Sequence, residues 1–286
     1  MKPCKGSGIA KVLACAVMSW PAAGASAADG AALNPFFAMD TCRPKEQLDL
    51  LKDLGYAGFS WVPSGSMKAE LDAAHSRGLK IFAVYTGSRL KNDKFQNDQA
   101  TLIASLKDTE TAVWLTVQSD SFKKSDEAGD LLAVPALQTM ADNAASNSVR
   151  IALYPHTGFW VESVQDAIRI ARKVNRPNFG VTFNLCHCLM VGDEAKIPEL
   201  LTQAGKHLFL VTIDGADKDA GGTNWDRLIR PLDEGSMDLL PILKKLREIG
   251  YSGPIGLQGY GVKVPPLENL TRSWKAWQKY NERLLK

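Results

Sequence analysis

The chain has 286 residues, 45% of them apolar and 23% charged, a balance that supplies a folded core and excludes an intrinsically disordered chain. Its formal charge of +3 rests on Lys2, Lys5 and Lys11, which precede an apolar run from Val12 to Met18 and small residues ending at Ala27, the pattern of a cleaved secretory leader over residues 1–27. Without that leader the chain is near neutral, which argues against a nucleic-acid partner, and no later run of about 20 apolar residues offers a membrane span.

The expected location is therefore periplasmic or secreted. Beyond the leader only Cys42, Cys186 and Cys188 remain, too few and too odd a number for a disulfide framework. Apolar strand-like runs then follow at residues 35–39, 57–61, 79–85, 111–117, 149–154, 179–184, 207–213 and 254–258. Helical spacing separates them, as in Leu48, Leu51 and Leu54, in Val161, Val164, Ile168 and Ala171, and in Leu239, Ile242, Leu246 and Ile249. "LKDLGYAGFSW" at 51 and "LREIGYSGPIGLQ" at 246 echo each other, each a helix end, a glycine suited to the left-handed turn, an aromatic and a new strand. Parallel strands with helical crossovers, eight times over, predict an α/β fold, a single (β/α)8 TIM barrel over residues 33–285. A long loop, Gly215 to Glu234, follows the seventh strand.

Barrel active sites lie at the C-terminal ends of the strands, where inward side chains alternate with helix-facing ones. In strand six, apolar Phe179, Val181 and Phe183 face the helices, which turns Thr182 and Asn184 inward. The same parity ends strand one at Asp40, strand five at Tyr154, strand seven at Thr212 and Asp214, and strand eight at Gln258, while Trp61, Tyr85 and Gln118 close the ring. Hydrogen-bonding groups beside aromatic faces suit a small-molecule carbohydrate. His156 in "YPHTGFW" and His187 in "NLCHC" follow neighbouring strands and are the candidate proton-transfer groups, with Asp214 in "DGAD" as a third. Cys186 and Cys188 flank His187 on what reads as a turn. Trp160 and Trp225 read as loop tryptophans over the substrate, and Arg230 reaches either the mouth or a surface ion pair.

The segments "LKDLGYAGFSW", "VRIALYPHTG", "GVTFNLCH" and "LDEGSMDLLPILKKLREIGYSGPIGLQ" resemble the xylose-isomerase-like barrels, the sugar phosphate isomerase/epimerase family, over essentially the whole length after the leader. That resemblance implies a divalent metal at the mouth, held by a glutamate, an aspartate, a histidine and a glutamate on strands five to eight. Here the matching positions are Tyr154, Asn184, Thr212 and Gln258, neutral groups that lack the charge to hold a hard cation. A metal, if bound, would fall to His156, His187, Asn184 and Gln258.

Two functions follow. The first is an exported isomerase, epimerase or eliminating lyase moving a proton next to the carbonyl of a free or oxidised sugar. The second is a non-catalytic sugar-binding barrel that lost its metal. A glycoside hydrolase needs two facing carboxylates, and the mouth offers only Asp40 and Asp214.

Overall fold

Alternation of side chains along short apolar strands decides the architecture, because each strand must bury one row against helices and the other inside the sheet. The computed structural model describes residues 34–39, 45–222 and 224–286; the expected leader, Asp40 and Cys42 lie outside the described residues. All eight expected strands form: β1 (Phe36–Met39), β2 (Gly58–Trp61), β3 (Lys80–Lys91), β5 (Ala112–Ser119), β6 (Ile151–Leu153), β7 (Phe179–Asn184), β8 (Leu208–Ile213) and β9 (Ile255–Gln258). A ninth, β4 (Lys94–Gln96), pairs antiparallel with the end of β3. The eight pair in parallel in chain order, and β9 returns to β1, with Phe36 opposite Ile255 and Met39 opposite Gln258, to close a (β/α)8 barrel.

Ten α-helices accompany the described strands: α1 (Lys45–Leu54), α2 (Met67–His75), α3 (Ala100–Ser105), α4 (Asp130–Ser146), α5 (Val164–Val174), α6 (Leu185–Met190), α7 (Ile197–Ala204), α8 (Trp225–Leu228), α9 (Leu240–Glu248) and α10 (Pro266–Leu284). The repeated Gly-Tyr pair ends α1 and α9 alike. Gly55 and Gly250 take φ of +96° and +74°, and the amides of Tyr56 and Tyr251 each bond back to a helix carbonyl, Leu51 O and Leu246 O, at 2.9 Å.

Two apolar layers result. Phe59, Val84, Leu115, Ile151, Phe183 and Leu257 belong to the large layer between sheet and helices. Phe37, Met39, Trp114, Tyr154 and Leu210 fill the barrel interior beside small Ala83, Ala112 and Ala152. Gly256 is part of this fit, since a Cβ there would fall 2.4 Å from Cζ of Phe37.

Two features depart from the expectation drawn from sequence. β3 runs six residues beyond its apolar stretch and turns into β4 through Asn92 and Asp93, both at positive φ as a two-residue hairpin requires. β7 passes directly into α6, so Cys186, His187 and Cys188 lie on a helix and not on a turn; Asn184 is its N-cap, accepting the His187 amide at 3.3 Å. The 215–234 loop is braced by an antiparallel bridge between Gly215 and Arg230. Arg230 serves that brace, pairing with Asp217 at 3.4 Å and donating to the Asp226 carbonyl at 3.1 Å.

Gly256→Val should overpack Phe37 and lower stability by about 3 kcal/mol, read as a reduced urea midpoint with a native far-UV CD spectrum.

Candidate functional site

The inward residues at the ends of β6, β7, β8 and β9 form a closed polar floor. Asn184 Nδ2 donates to the Tyr154 hydroxyl, and Gln258 Nε2 approaches the same oxygen at 3.5 Å. Asn184 Oδ1 accepts from the Cys186 thiol at 3.0 Å, and Gln258 Oε1 accepts from the Tyr260 amide at 3.0 Å. Below them Trp114 Nε1 donates to Thr182 Oγ1 at 2.5 Å and meets the Tyr154 ring edge-on at 5.0 Å. Asn184, Thr212 and Asp214 have no exposed surface, and Gln258 is 3% exposed. Asn184, Gln258 and Tyr154 hold one another and face the mouth from beneath.

Asp214 stands apart within the floor. Both of its carboxylate oxygens, and Thr212 Oγ1 two residues before it, are buried without a hydrogen-bond partner. Burial therefore pushes the Asp214 carboxyl well above the usual carboxylate range, favouring its protonated form. It accepts no backbone hydrogen bond from the loop it begins. Burial likewise pushes the Cys186 and Cys188 thiols up, so neither is a thiolate nucleophile; both are free and buried.

Above the floor stand the two histidines, in contact across neighbouring strand ends with ring centroids 4.2 Å apart. Thr157 lies between them. Its amide donates to His187 Nδ1 at 3.3 Å, with its hydroxyl 3.1 Å from the same nitrogen, and its carbonyl lies 3.0 Å from His156 Nδ1. A backbone amide only donates and a carbonyl only accepts. His187 therefore carries its hydrogen on Nε2 and His156 on Nδ1, which leaves one Nε2 a donor and the other an open lone pair. Burial, reinforced by the neighbouring ring, lowers the His187 pKa from 6.5 to about 3. Burial also lowers His156, partly offset by its bond to the Thr157 carbonyl. Both rings are neutral at pH 7.

Aromatic faces surround the pair. His156 stacks on Phe159 at 4.1 Å, and His187 meets Trp225 edge-on at 5.3 Å and Tyr154 at 5.6 Å. Trp225 is 39% exposed and Tyr260, two residues past Gln258, is 70% exposed. Tyr85 and Gln118 lie half-buried on the inward rows of β3 and β5. Two tryptophans expected at the mouth are elsewhere. Trp61 packs in the helix-facing layer, because Phe59 and Trp61 share one face of β2. Trp160 is 1% exposed, donates to the Asp126 carbonyl at 2.9 Å and fills the space a side chain at Gly129 would take. Thr157, Phe159 and Tyr260 were not singled out from the sequence, although all three fall within five residues of an inward strand end.

The four positions matching the family's ligands do not fit a divalent cation. Tyr154, Asn184, Thr212 and Gln258 carry no charge, and the oxygens of Asn184 and Gln258 already accept hydrogen bonds. Both imidazole Nδ1 atoms are engaged by Thr157, and among the described residues no three His, Cys, Asp or Glu side chains converge as a metal site.

A family model described as xylose isomerase-like TIM barrel matches residues 48–280. Inosose isomerase of Bacillus subtilis strain 168 is 32% identical over 131 residues, 44% of this chain and 45% of that protein. The chain spans less than half the length of the curated relatives it matches. Among solved structures, an IOLI protein with bound zinc superposes with a TM-score of 0.71 at 20% identity, covering 87% of this chain and 99% of the other. D-Psicose 3-epimerase with D-tagatose, from Clostridium cellulolyticum H10, gives a TM-score of 0.66 at 16% identity over 88% and 99%. At such identities the structural likenesses show the fold.

The depressed pKa of His187 has a consequence for stability. Its ring is neutral when folded and binds a proton near pH 6.5 when unfolded, so its contribution is complete above pH 6.5 and is lost as pH falls toward 3. Urea unfolding should show His187→Gln losing less stability than the parent chain between pH 7 and pH 4.5, the difference being about 2 kcal/mol.

Proposed function

We propose, since this chain belongs to the xylose isomerase-like TIM barrel family of sugar isomerases and epimerases, that it moves a proton on a carbon next to the carbonyl of an unphosphorylated sugar. The observation that carries this reading is the pair of neutral imidazoles with opposite tautomers at the barrel mouth. His156 Nε2 takes the carbon-bound proton, and the electron pair moves onto the carbonyl oxygen to give an enediolate. His187 Nε2–H donates to that oxygen as its charge develops. The proton of the adjacent hydroxyl passes to that oxygen, the second oxygen becomes the new carbonyl, and the His156 imidazolium returns its proton to the former carbonyl carbon, restoring the starting ring. A neutral imidazole acting as a hydrogen-bond donor to an enediolate has precedent in triosephosphate isomerase.

Tyr85 and Trp225 contact the sugar in this reading, with aromatic faces against the ring. Tyr154, Asn184 and Gln258 act one layer deeper, fixing the floor against which the histidine pair rests. Asp214 takes no step in this form of the site, because its carboxyl has no exposed surface. The lysine-then-apolar leader supports action after export, which in turn favours a sugar without phosphate.

The test is uptake of deuterium from heavy water at carbon-bound positions of aldoses, ketoses and keto sugars. Uptake at one stereospecific position is expected, with His156→Gln slowing it by at least about a hundredfold while thermal stability is retained. The acid limb of kcat/KM is expected below pH 6.5, because the base is the neutral form of a ring whose pKa is lowered. No uptake with any sugar, or an unchanged rate in His156→Gln, would contradict proton transfer.

A further inference from the structure

Beside the histidine pair, the extension of β3 beyond the barrel builds a second recess that the proton-transfer chemistry does not use. Tyr85, Gly87 and Arg89 form the inward row of β3, and in the parallel register Gly87 lies opposite Thr116 and Arg89 opposite Gln118. Gly87 leaves a gap in that row, and a glycine inside a strand often marks a place where a ligand comes close to the backbone. β4 and the segment after it supply the other wall, with Gln96, Asn97 and Asp98 exposed along it. The recess is open to solvent and has a volume of about 620 Å³.

The walls are fixed from behind. Gln99 is 6% exposed; its amide donates to the Gly87 carbonyl at 2.9 Å and accepts from Thr86 Oγ1 at 2.8 Å, tying the wall after β4 to β3. Tyr85, two residues before Gly87 on the same row of β3, meets the Tyr154 ring edge-on at 5.4 Å, and Tyr154 in turn lies 6.3 Å from the His156 ring and 5.6 Å from the His187 ring, so the recess begins one aromatic contact away from the histidine pair. The loop that carries His156 hangs from Val117, whose carbonyl accepts the Trp160 and Val161 amides at 3.0 and 3.2 Å, one residue before Gln118.

The chemistry of the lining selects a class of ligand. Arg89 is paired with Asp120 and donates to the side-chain Oε1 of Gln118, so its charge is already met. What remains is a set of planar amide, carboxylate and guanidinium groups offering both donors and acceptors, which matches adjacent hydroxyls of a neutral sugar better than a phosphate or a carboxylate.

We propose that this recess is a second sugar subsite, holding the ring next to the one at the histidine pair, so that the substrate is a glycoside or disaccharide. This rests on the reading that a sugar occupies the histidine site. Two linked rings held in two adjoining subsites bind more tightly than one ring alone.

Saturation-transfer NMR on the full chain with glucose, cellobiose, maltose and trehalose tests it. At least one disaccharide should bind about tenfold more tightly than glucose, with saturation reaching both rings. Gln96→Ala and Asp98→Ala, both at exposed positions on the wall, should bring that disaccharide to within twofold of glucose and leave glucose binding unchanged. Equal binding of glucose and every disaccharide, no binding of any, or an advantage that survives both variants would overturn the subsite. A disaccharide that binds in the expected way yet takes up no carbon-bound deuterium would count against the proton-transfer reading and leave the subsite standing.

Discussion

The backbone of Thr157 holds two imidazoles at once, and the chemistry available at the barrel mouth depends on that constraint. Its amide and its carbonyl are 30 residues in sequence from His187 and adjacent to His156, yet they engage the same ring position, Nδ1, of both. Because one bond gives a hydrogen and the other takes one, the two rings are forced into opposite tautomers. Neither bond involves a side chain of Thr157, so both are set by the path of the loop after β6. That path is fixed by backbone bonds from Trp160 and Val161 to Val117, by the amide of His156 on the Val161 carbonyl, and by Trp160 seated in the core.

The floor below explains how a barrel of this family accommodates neutral residues where charged ones are expected. A carboxylate or an imidazole at Tyr154, Asn184 or Gln258 would need a partner at a depth where unpaired charge costs several kcal/mol. The amides of Asn184 and Gln258 instead converge on the Tyr154 hydroxyl, which is itself packed edge-on against Trp114. Asp214 is the exception, its carboxyl pushed well above the usual carboxylate range by the same burial. The floor is thus held by uncharged hydrogen bonds and meets the histidine pair through the Asn184 side chain, which accepts the His187 backbone amide, and through the Tyr154 ring.

Much of this was legible in the sequence, for physical reasons that differ between residues. Strands β7 to β9 could be assigned a face because apolar side chains recur at every second position, as in Phe179, Val181 and Phe183. Trp61 could not, because β2 is only four residues long and a tryptophan at a strand end fits either a mouth or a helix contact. Trp160 was misplaced because its pocket is made by Gly129 and the Asp126 carbonyl, 31 and 34 residues earlier, a fit that no local pattern records. The Cys-His-Cys stretch looked like a turn because six residues are too few for helical periodicity to emerge, and its N-cap is the very asparagine read as a strand end. The tautomers lie beyond local pattern as well, since they depend on a contact between the loop after β6 and helix α6.

The most direct measurement is nitrogen-detected NMR of the full chain with 15N-labelled histidine at pH 7, with His156→Gln and His187→Gln used to assign the two rings. The expected result is two neutral imidazoles, His156 protonated on Nδ1 and His187 protonated on Nε2. The same tautomer in both rings, the reversed pair, or an imidazolium at either position would contradict it.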